Sequence, residues 1–305
     1  MYTHLQERFA ARPPVTISTL NKMKAEGQKI ACVTAYDASF AALVDDADLD
    51  VVLVGDSLGM VIQGHNTTVP VTLEDVIYHC KAVNRGLYRP FLMADMPFMT
   101  YASPEQALNN AVRLMQEGGA KMVKLEGGAG QADVVEFLAN HDIAVCAHLG
   151  LKPQSVHKAG GFRVQGREQT AADQMLHDAK LLESAGADVV LLECIPASLG
   201  ARITQELQVP VIGIGAGPDT DGQILVMYDL LDITSGPKPK FAKNFMAGVD
   251  SPLAALKNYG EAVRNRSYPA PEHCFADVGS THSLTHTSTP SAALERLPAH
   301  TKNNE

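Results

Sequence analysis

Between residue 30 and about residue 235 the chain repeats one alternation, a short and nearly continuous apolar run followed by a stretch with helical periodicity. The runs are IACVTAY (30–36), DVVLVG (50–55), FLMADM (91–96), MVKLE (122–126), IAVCAHL (143–149), DVVLLEC (188–194), VPVIGIG (209–215) and DLLDIT (229–234), eight in all. Strand patterns separated by helical ones are the signature of stacked βαβ units and a parallel sheet. Runs that do not alternate apolar with polar residues need cover on both faces. Eight such units predict a (β/α)8 TIM-type barrel, with an open doubly wound sheet as the alternative.

The helical stretches carry their own punctuation. In SPEQALNNAVRLMQEGG (103–119), Ser103 suits the N-cap, Pro104 the first helical position and Glu105 the first turn, and Gly118-Gly119 ends the helix. Thr170 precedes a second helical stretch over 171–186, stopped by Gly186. Residues 17–26 predict a helix capped by Ser18 that closes the barrel floor, and 252–264 a final helical extension. A single catalytic domain is therefore expected over 1–268. From residue 269 onward the chain turns to Pro, Ser, Thr and His, which predicts a disordered tail over 269–305. His282 and His286 in that tail lie four apart, but without an apolar face on which to build a metal site. Two long Gly-rich connections, 56–72 and 150–168, are candidates for lids or substrate walls.

Charge and composition exclude several classes of partner. The net charge of −9 and the absence of Trp argue against a nucleic-acid surface, which needs a basic face and stacking platforms. The five cysteines (32, 80, 146, 194 and 274) show no CxxC spacing, and three of them sit inside apolar strand patterns, as reduced thiols do. The N-terminus, MYTHLQERFAARPP, lacks the apolar core of a secretion signal, and no run approaches the ~18 apolar residues of a membrane span. A cytoplasmic protein with no membrane partner is expected.

Five consecutive strand patterns end in groups that ionise: Asp56, Asp95, Lys124 with Glu126, His148, and Glu193. Ending an apolar strand in a charge is costly unless the charge is paired or holds a cation. Barrel sites form at the C-terminal strand ends, so these groups belong to one candidate site. Asp56 and Asp95, on neighbouring strands, suit a hard divalent cation such as Mg²⁺; either alone would serve equally as a loop cap. Lys124 and Glu126 share one strand face, pointing into the barrel. They fit a metal and carboxylate-binding pair, a structural ion pair, or a Schiff-base lysine. His148 fits a site residue or a satisfied structural group. Glu193 follows VVLL, an apolar setting that raises a carboxyl pKa toward that of a general base. The run IGIGAGP (212–218) fits an anion cup or tight backbone packing, and its spacing does not match a dinucleotide fingerprint.

Seven motifs, VGDSLGMVIQGH (54–65), DMPFMTY (95–101), VKLEGG (123–128), AHLGLKPQSV (147–156), LLECIP (191–196), IGIGAG (212–217) and DGQILVMYDLL (221–231), together resemble the ketopantoate hydroxymethyltransferase family. The resemblance runs from about Ile17 to Tyr268. It implies a (β/α)8 barrel that uses Mg²⁺ and 5,10-methylenetetrahydrofolate to hydroxymethylate 3-methyl-2-oxobutanoate to 2-dehydropantoate, through an enolate, in pantothenate biosynthesis. It also implies Asp56, Asp95 and Glu126 as metal ligands, Ser57, Asp95 and Lys124 as contacts to the oxo acid, and Glu193 as proton acceptor. His148 matches a histidine of the site, and members of the family form homodecamers. The competing expectation is a Mg²⁺-dependent carbon–carbon lyase of the phosphoenolpyruvate mutase and isocitrate lyase type, although its KKCGH-like lid motif is absent from the sequence. A non-catalytic barrel that only binds an anion would show neither metal dependence nor turnover.

Overall fold

Eight parallel strands close on themselves in sequence order in the computed structural model, which describes residues 13–276. They are β1 (Ile30–Thr34), β2 (Val51–Val54), β3 (Phe91–Asp95), β4 (Met122–Glu126), β5 (Val145–Gly150), β6 (Val189–Glu193), β7 (Val211–Ile214) and β8 (Gly222–Leu225). The seam is made by β1 against β8, with Ile30 opposite Gly222 and Val33 opposite Leu225. Every residue of β1 to β4 is buried, as expected for strands covered on both faces. The barrel expectation holds, and the first seven strands fall inside their predicted runs except that β5 extends one residue further, to Gly150.

The eighth does not. The apolar run 229–234 predicts a strand, yet its first residues end a short helix, Met227–Leu230, and β8 lies earlier, at Gly-Gln-Ile-Leu. That tetrapeptide hides well from hydrophobic patterning. Gly222 is required because a Cβ there would come within 2.5 Å of the Ile30 carbonyl oxygen. Gln223 is buried with its amide donating to Gly217 O and Thr220 Oγ1.

The moved strand also changes the architecture. Only residues 215–221 join β7 to β8, so this crossover carries no helix, whereas helices occupy the other inter-strand connections. Phe241 and Phe275 close over Gly215 instead, and Phe275 bridges Pro196 while its carbonyl accepts from Ala197 N. The glycines of the 212–218 run accordingly pack against the protein's own atoms: a Cβ on Gly213 would meet Thr220, and one on Gly217 would meet Ala197. Tight packing, and not an open anion cup, accounts for them.

Local signals set the remaining ends. The first helix, Ile17–Ala25, is capped by Thr16 in a reciprocal pair with Thr19, two residues ahead of the expected Ser18. Its Lys24 reaches Asp221 Oδ2 at 2.7 Å, the acid that precedes β8, and so ties the helix to the barrel floor. Ser103 and Pro104 open the helix Pro104–Gln116 as predicted. The long helix before β6, Gln169–Ser184, starts with Glu168 at its N-cap in place of Thr170. The last helix, Pro252–Arg264, is capped by Ser251. Its Tyr259, fully buried, sets its hydroxyl within 2.7 Å of Cys32 O and 2.9 Å of Gln223 O, across the β1–β8 seam. Ordered structure continues through a 3-10 turn at Pro271–His273 to Ala276, beyond the predicted start of the tail at 269; the rest of that segment, with His282 and His286, lies outside the described residues.

Candidate active site

The register of the barrel sets the polar strand ends beside one another. Asp95 is the ladder partner of Lys124, and Glu126 is the partner of His148. Gly150, just past His148, pairs with Glu193. Asp56 follows β2 after a single glycine, and its backbone N–H donates to Asp95 Oδ2 at 2.8 Å. All of these groups face the C-terminal mouth of the barrel.

Lys124 stands at the centre of three carboxylates. Its Nζ lies 2.5 Å from Asp95 Oδ1 and 4.0 Å from Glu126 Oε1, with both side chains almost fully buried. Burial alone would strip the lysine of its charge, but Asp95, Glu126 and Asp56 more than offset this and hold the ammonium charged well above its ordinary range. One ammonium cannot neutralise three acids. Burial, followed by the fields of Asp95 and Glu126, drives the Asp56 carboxyl well above the usual carboxylate range. Glu126 is pushed up to about 7, mainly by burial, with Lys124 working against the shift.

His148 sits between two glutamates. Its Nδ1 is 3.5 Å from Glu126 Oε1 and its Nε2 is 3.4 Å from Glu193 Oε2. Neither ring nitrogen completes a hydrogen bond, and Glu126 Oε1 is likewise unpartnered. Burial, and then Lys124, keep the imidazole pKa below its ordinary value, so the neutral ring is favoured. Glu193 is raised by burial, against the pull of His148. Its side chain retains 17% exposure where those of Glu126 and His148 retain 2% and 1%, so it is the acid most open to the mouth. The residue after it, Cys194, adopts a left-handed φ of 50°, an uncommon conformation for a side chain with a Cβ, and is held there by Cys194 N to Ile214 O and Gln165 N to Cys194 O.

All seven residues singled out in the sequence (Asp56, Ser57, Asp95, Lys124, Glu126, His148 and Glu193) are thus drawn to one end of the barrel. Three more belong with them and were missed. The Tyr36 hydroxyl, just past β1, shares a 2.8 Å hydrogen bond with Ser57 Oγ. Tyr101 and Gln154, from the loops after β3 and β5, reach Glu126 and Asp56. Tyr36 had a usable signal, since it occupies the same strand-end position as the acids.

Among the described residues no three His, Cys, Asp or Glu side chains are already gathered as a metal cage. The donor set nevertheless fits a hard cation. It is all oxygen, it carries an excess of buried negative charge, and one of its carboxylate oxygens, Glu126 Oε1, has no partner.

Comparison with known proteins bears on the same region. Residues 14–271 match the family model of ketopantoate hydroxymethyltransferase. The 3-methyl-2-oxobutanoate hydroxymethyltransferase of Alkalilimnicola ehrlichii is 59% identical over 268 residues, covering 88% of this chain and 97% of that one. The Shewanella loihica protein of the same name is 56% identical over 262 residues, covering 86% and 99%. Among solved structures, phosphoenolpyruvate phosphomutase from Streptomyces platensis subsp. rosaceus superposes with a TM-score of 0.53 at 14% identity, covering 71% of this chain and 82% of that one. The barrel of 2,3-dimethylmalate lyase, a member of the phosphoenolpyruvate mutase/isocitrate lyase superfamily, superposes with a TM-score of 0.51 at 16% identity, covering 70% and 81%. These structures share the barrel.

Proposed function

Because the chain belongs to the ketopantoate hydroxymethyltransferase family, we propose that its mouth carries out the family's reaction on 3-methyl-2-oxobutanoate, with 5,10-methylenetetrahydrofolate as the one-carbon donor. The observation that carries this reading is the buried excess of carboxylates around Lys124, beside a fourth acid that remains open to the mouth.

Asp56, Asp95 and Glu126 are the residues that would hold Mg²⁺. A bound Mg²⁺ supplies Lewis acidity to the keto and carboxylate oxygens of the oxo acid, lowering the cost of negative charge there. Lys124 and Ser57 fix the carboxylate end of the substrate, and Tyr36 holds the Ser57 hydroxyl in place through their shared hydrogen bond. Glu193 removes the proton from C3 of the oxo acid. The electron pair left behind is shared with the keto group as an enolate. That pair then forms the new bond to the methylene carbon of the folate as the two bonds from that carbon to N5 and N10 break. Water supplies the hydroxyl oxygen, and the proton taken from C3 and one from water end on the two nitrogens of the departing tetrahydrofolate. Burial raises the carboxyl pKa of Glu193 toward that of a base that works near neutrality. His148, neutral, lies on the barrel side of that carboxylate, 3.4 Å from it. Homodecameric assembly and a cytoplasmic location follow from the same family membership as expectations. No helix among the described residues is long and apolar enough to cross a membrane.

The test is exchange of the C3 proton of the oxo acid with deuterated solvent in the absence of folate. Glu193→Gln should abolish the exchange while the oxo acid still binds, and EDTA should suppress it in the unmodified enzyme. Normal exchange in the variant would remove Glu193 from this role.

A further inference from the structure

Gln154 lies in the segment that follows β5, in the 3-10 turn Pro153–Ser155, and is 5% exposed. Its side chain is saturated with partners. Nε2 donates to Asp56 Oδ2 and to Met96 O, both at 2.9 Å. Oε1 accepts from the Tyr101 hydroxyl at 2.5 Å, and that hydroxyl in turn accepts from Glu126 N at 3.2 Å. The backbone N–H of Gln154 donates to Glu126 Oε2 at 3.1 Å.

This pattern fixes the orientation of the amide. Turning it over would set its oxygen against the Met96 carbonyl oxygen, an acceptor with no proton to offer. Only a glutamine-length amide serves both ends, since leucine lacks the donors and asparagine is one methylene short. Through one residue the segment 150–168 touches the chain just after β2 and β3 and the last residue of β4. The bonds also hold one oxygen of each acid, Asp56 Oδ2 and Glu126 Oε2, and Glu126 Oε1 is left without a hydrogen-bond partner.

We propose that Gln154 is a positioning residue that sets the Asp56 and Glu126 carboxylates for cation capture and links the packing of segment 150–168 to whether a cation is held there. The proposal rests on the reading of those acids as cation ligands. Hydrogen-bond partners that orient ligating carboxylates change metal affinity by about 10- to 100-fold when removed.

The experiment measures Mn²⁺ binding by electron paramagnetic resonance, and amide exchange over 150–168 with and without Mn²⁺. The proteins compared are the unmodified enzyme, Gln154→Leu, Tyr101→Phe and Asp56→Asn. Gln154→Leu is expected to bind Mn²⁺ about 10- to 100-fold more weakly, with 150–168 exchanging faster and no longer responding to Mn²⁺. Tyr101→Phe, which keeps the ring and removes only the hydroxyl, should move both readouts the same way by less, and it decides the matter should Gln154→Leu fail to fold. Mn²⁺ affinity unchanged in Gln154→Leu, or weakened while 150–168 still responds to Mn²⁺ as in the unmodified enzyme, overturns the proposal. So does faster exchange spread evenly over all strands, which marks a general loss of stability. If Asp56→Asn binds Mn²⁺ as tightly as the unmodified enzyme, the cation reading itself fails, an outcome distinct from the others.

Discussion

Replacing Lys124 with methionine, close in length and without charge, tests the electrostatics of the mouth most directly. At the effective dielectric of about 20 that suits such sites, the 2.5 Å contact with Asp95 corresponds to about 7 kcal/mol of attraction and the 4.0 Å approach to Glu126 to about 4 kcal/mol. The desolvation of the ammonium consumes a large part of this. The acids left behind respond by taking up protons, so the expected net loss is about 3–5 kcal/mol, the range for breaking a buried ion pair from one side. Urea midpoints read that loss in the metal-free protein at pH 8. The sign of the pH dependence follows from Glu126. Its folded pKa, about 7, lies above its ordinary value of about 4.3, so its contribution is fully present below pH ~4.3 and is lost as pH rises through 7. Without Lys124 the acids rise further, and the loss extends to higher pH. Added Mg²⁺ should then stabilise Lys124→Met more than the unmodified protein, by about 1.4 kcal/mol for each tenfold gain in affinity. Two results would refute this account: a variant as stable as the unmodified protein at pH 8 without cation, or equal stabilisation of both by Mg²⁺.

Tyr36→Phe removes the hydrogen bond to Ser57 and keeps the ring. Steady-state kinetics should show KM for the oxo acid rising by about twofold to twelvefold, the equivalent of one hydrogen bond of about 0.5–1.5 kcal/mol, with kcat nearly unchanged. Gly222→Ala places a methyl group 2.5 Å from the Ile30 carbonyl at the seam. Its cost, read by urea denaturation, should be about 1–3 kcal/mol, with the first signs in amide exchange of β1 and β8.

The sequence made the acids legible because each ends a strand whose other residues are apolar, and a charge in that position has few explanations. Asp95, Lys124, Glu126, His148 and Glu193 were visible for that reason, and Asp56 by the same logic one residue beyond its strand's glycine. Gln154 was hidden by its surroundings. It lies in a polar, Gly-rich connection where any side chain could face water, and only the packing of Pro153–Ser155 against the mouth turns it inward. Strand β8 was hidden for the opposite reason. Its four residues include a glycine and a buried glutamine, and DLLDIT nearby offered a stronger apolar signal that belongs to the layer outside the barrel. Hydrophobic patterning finds where apolar surface is buried; it does not say whether a strand or an outer helix buries it.

The helix-free crossover between β7 and β8 also sets the order in which the molecule can be made. The ring closes only when β8 reaches β1, the oldest strand in the nascent chain. The groups that secure that closure emerge later still: Phe241 and Phe275 cover the crossover, and Tyr259 pins the seam. On the ribosome, β1 therefore keeps one edge unpaired until β8 has emerged. A chain cut before residue 259 keeps every acid of the mouth but loses Tyr259 and Phe275, two of the groups that clasp its first and last strands together.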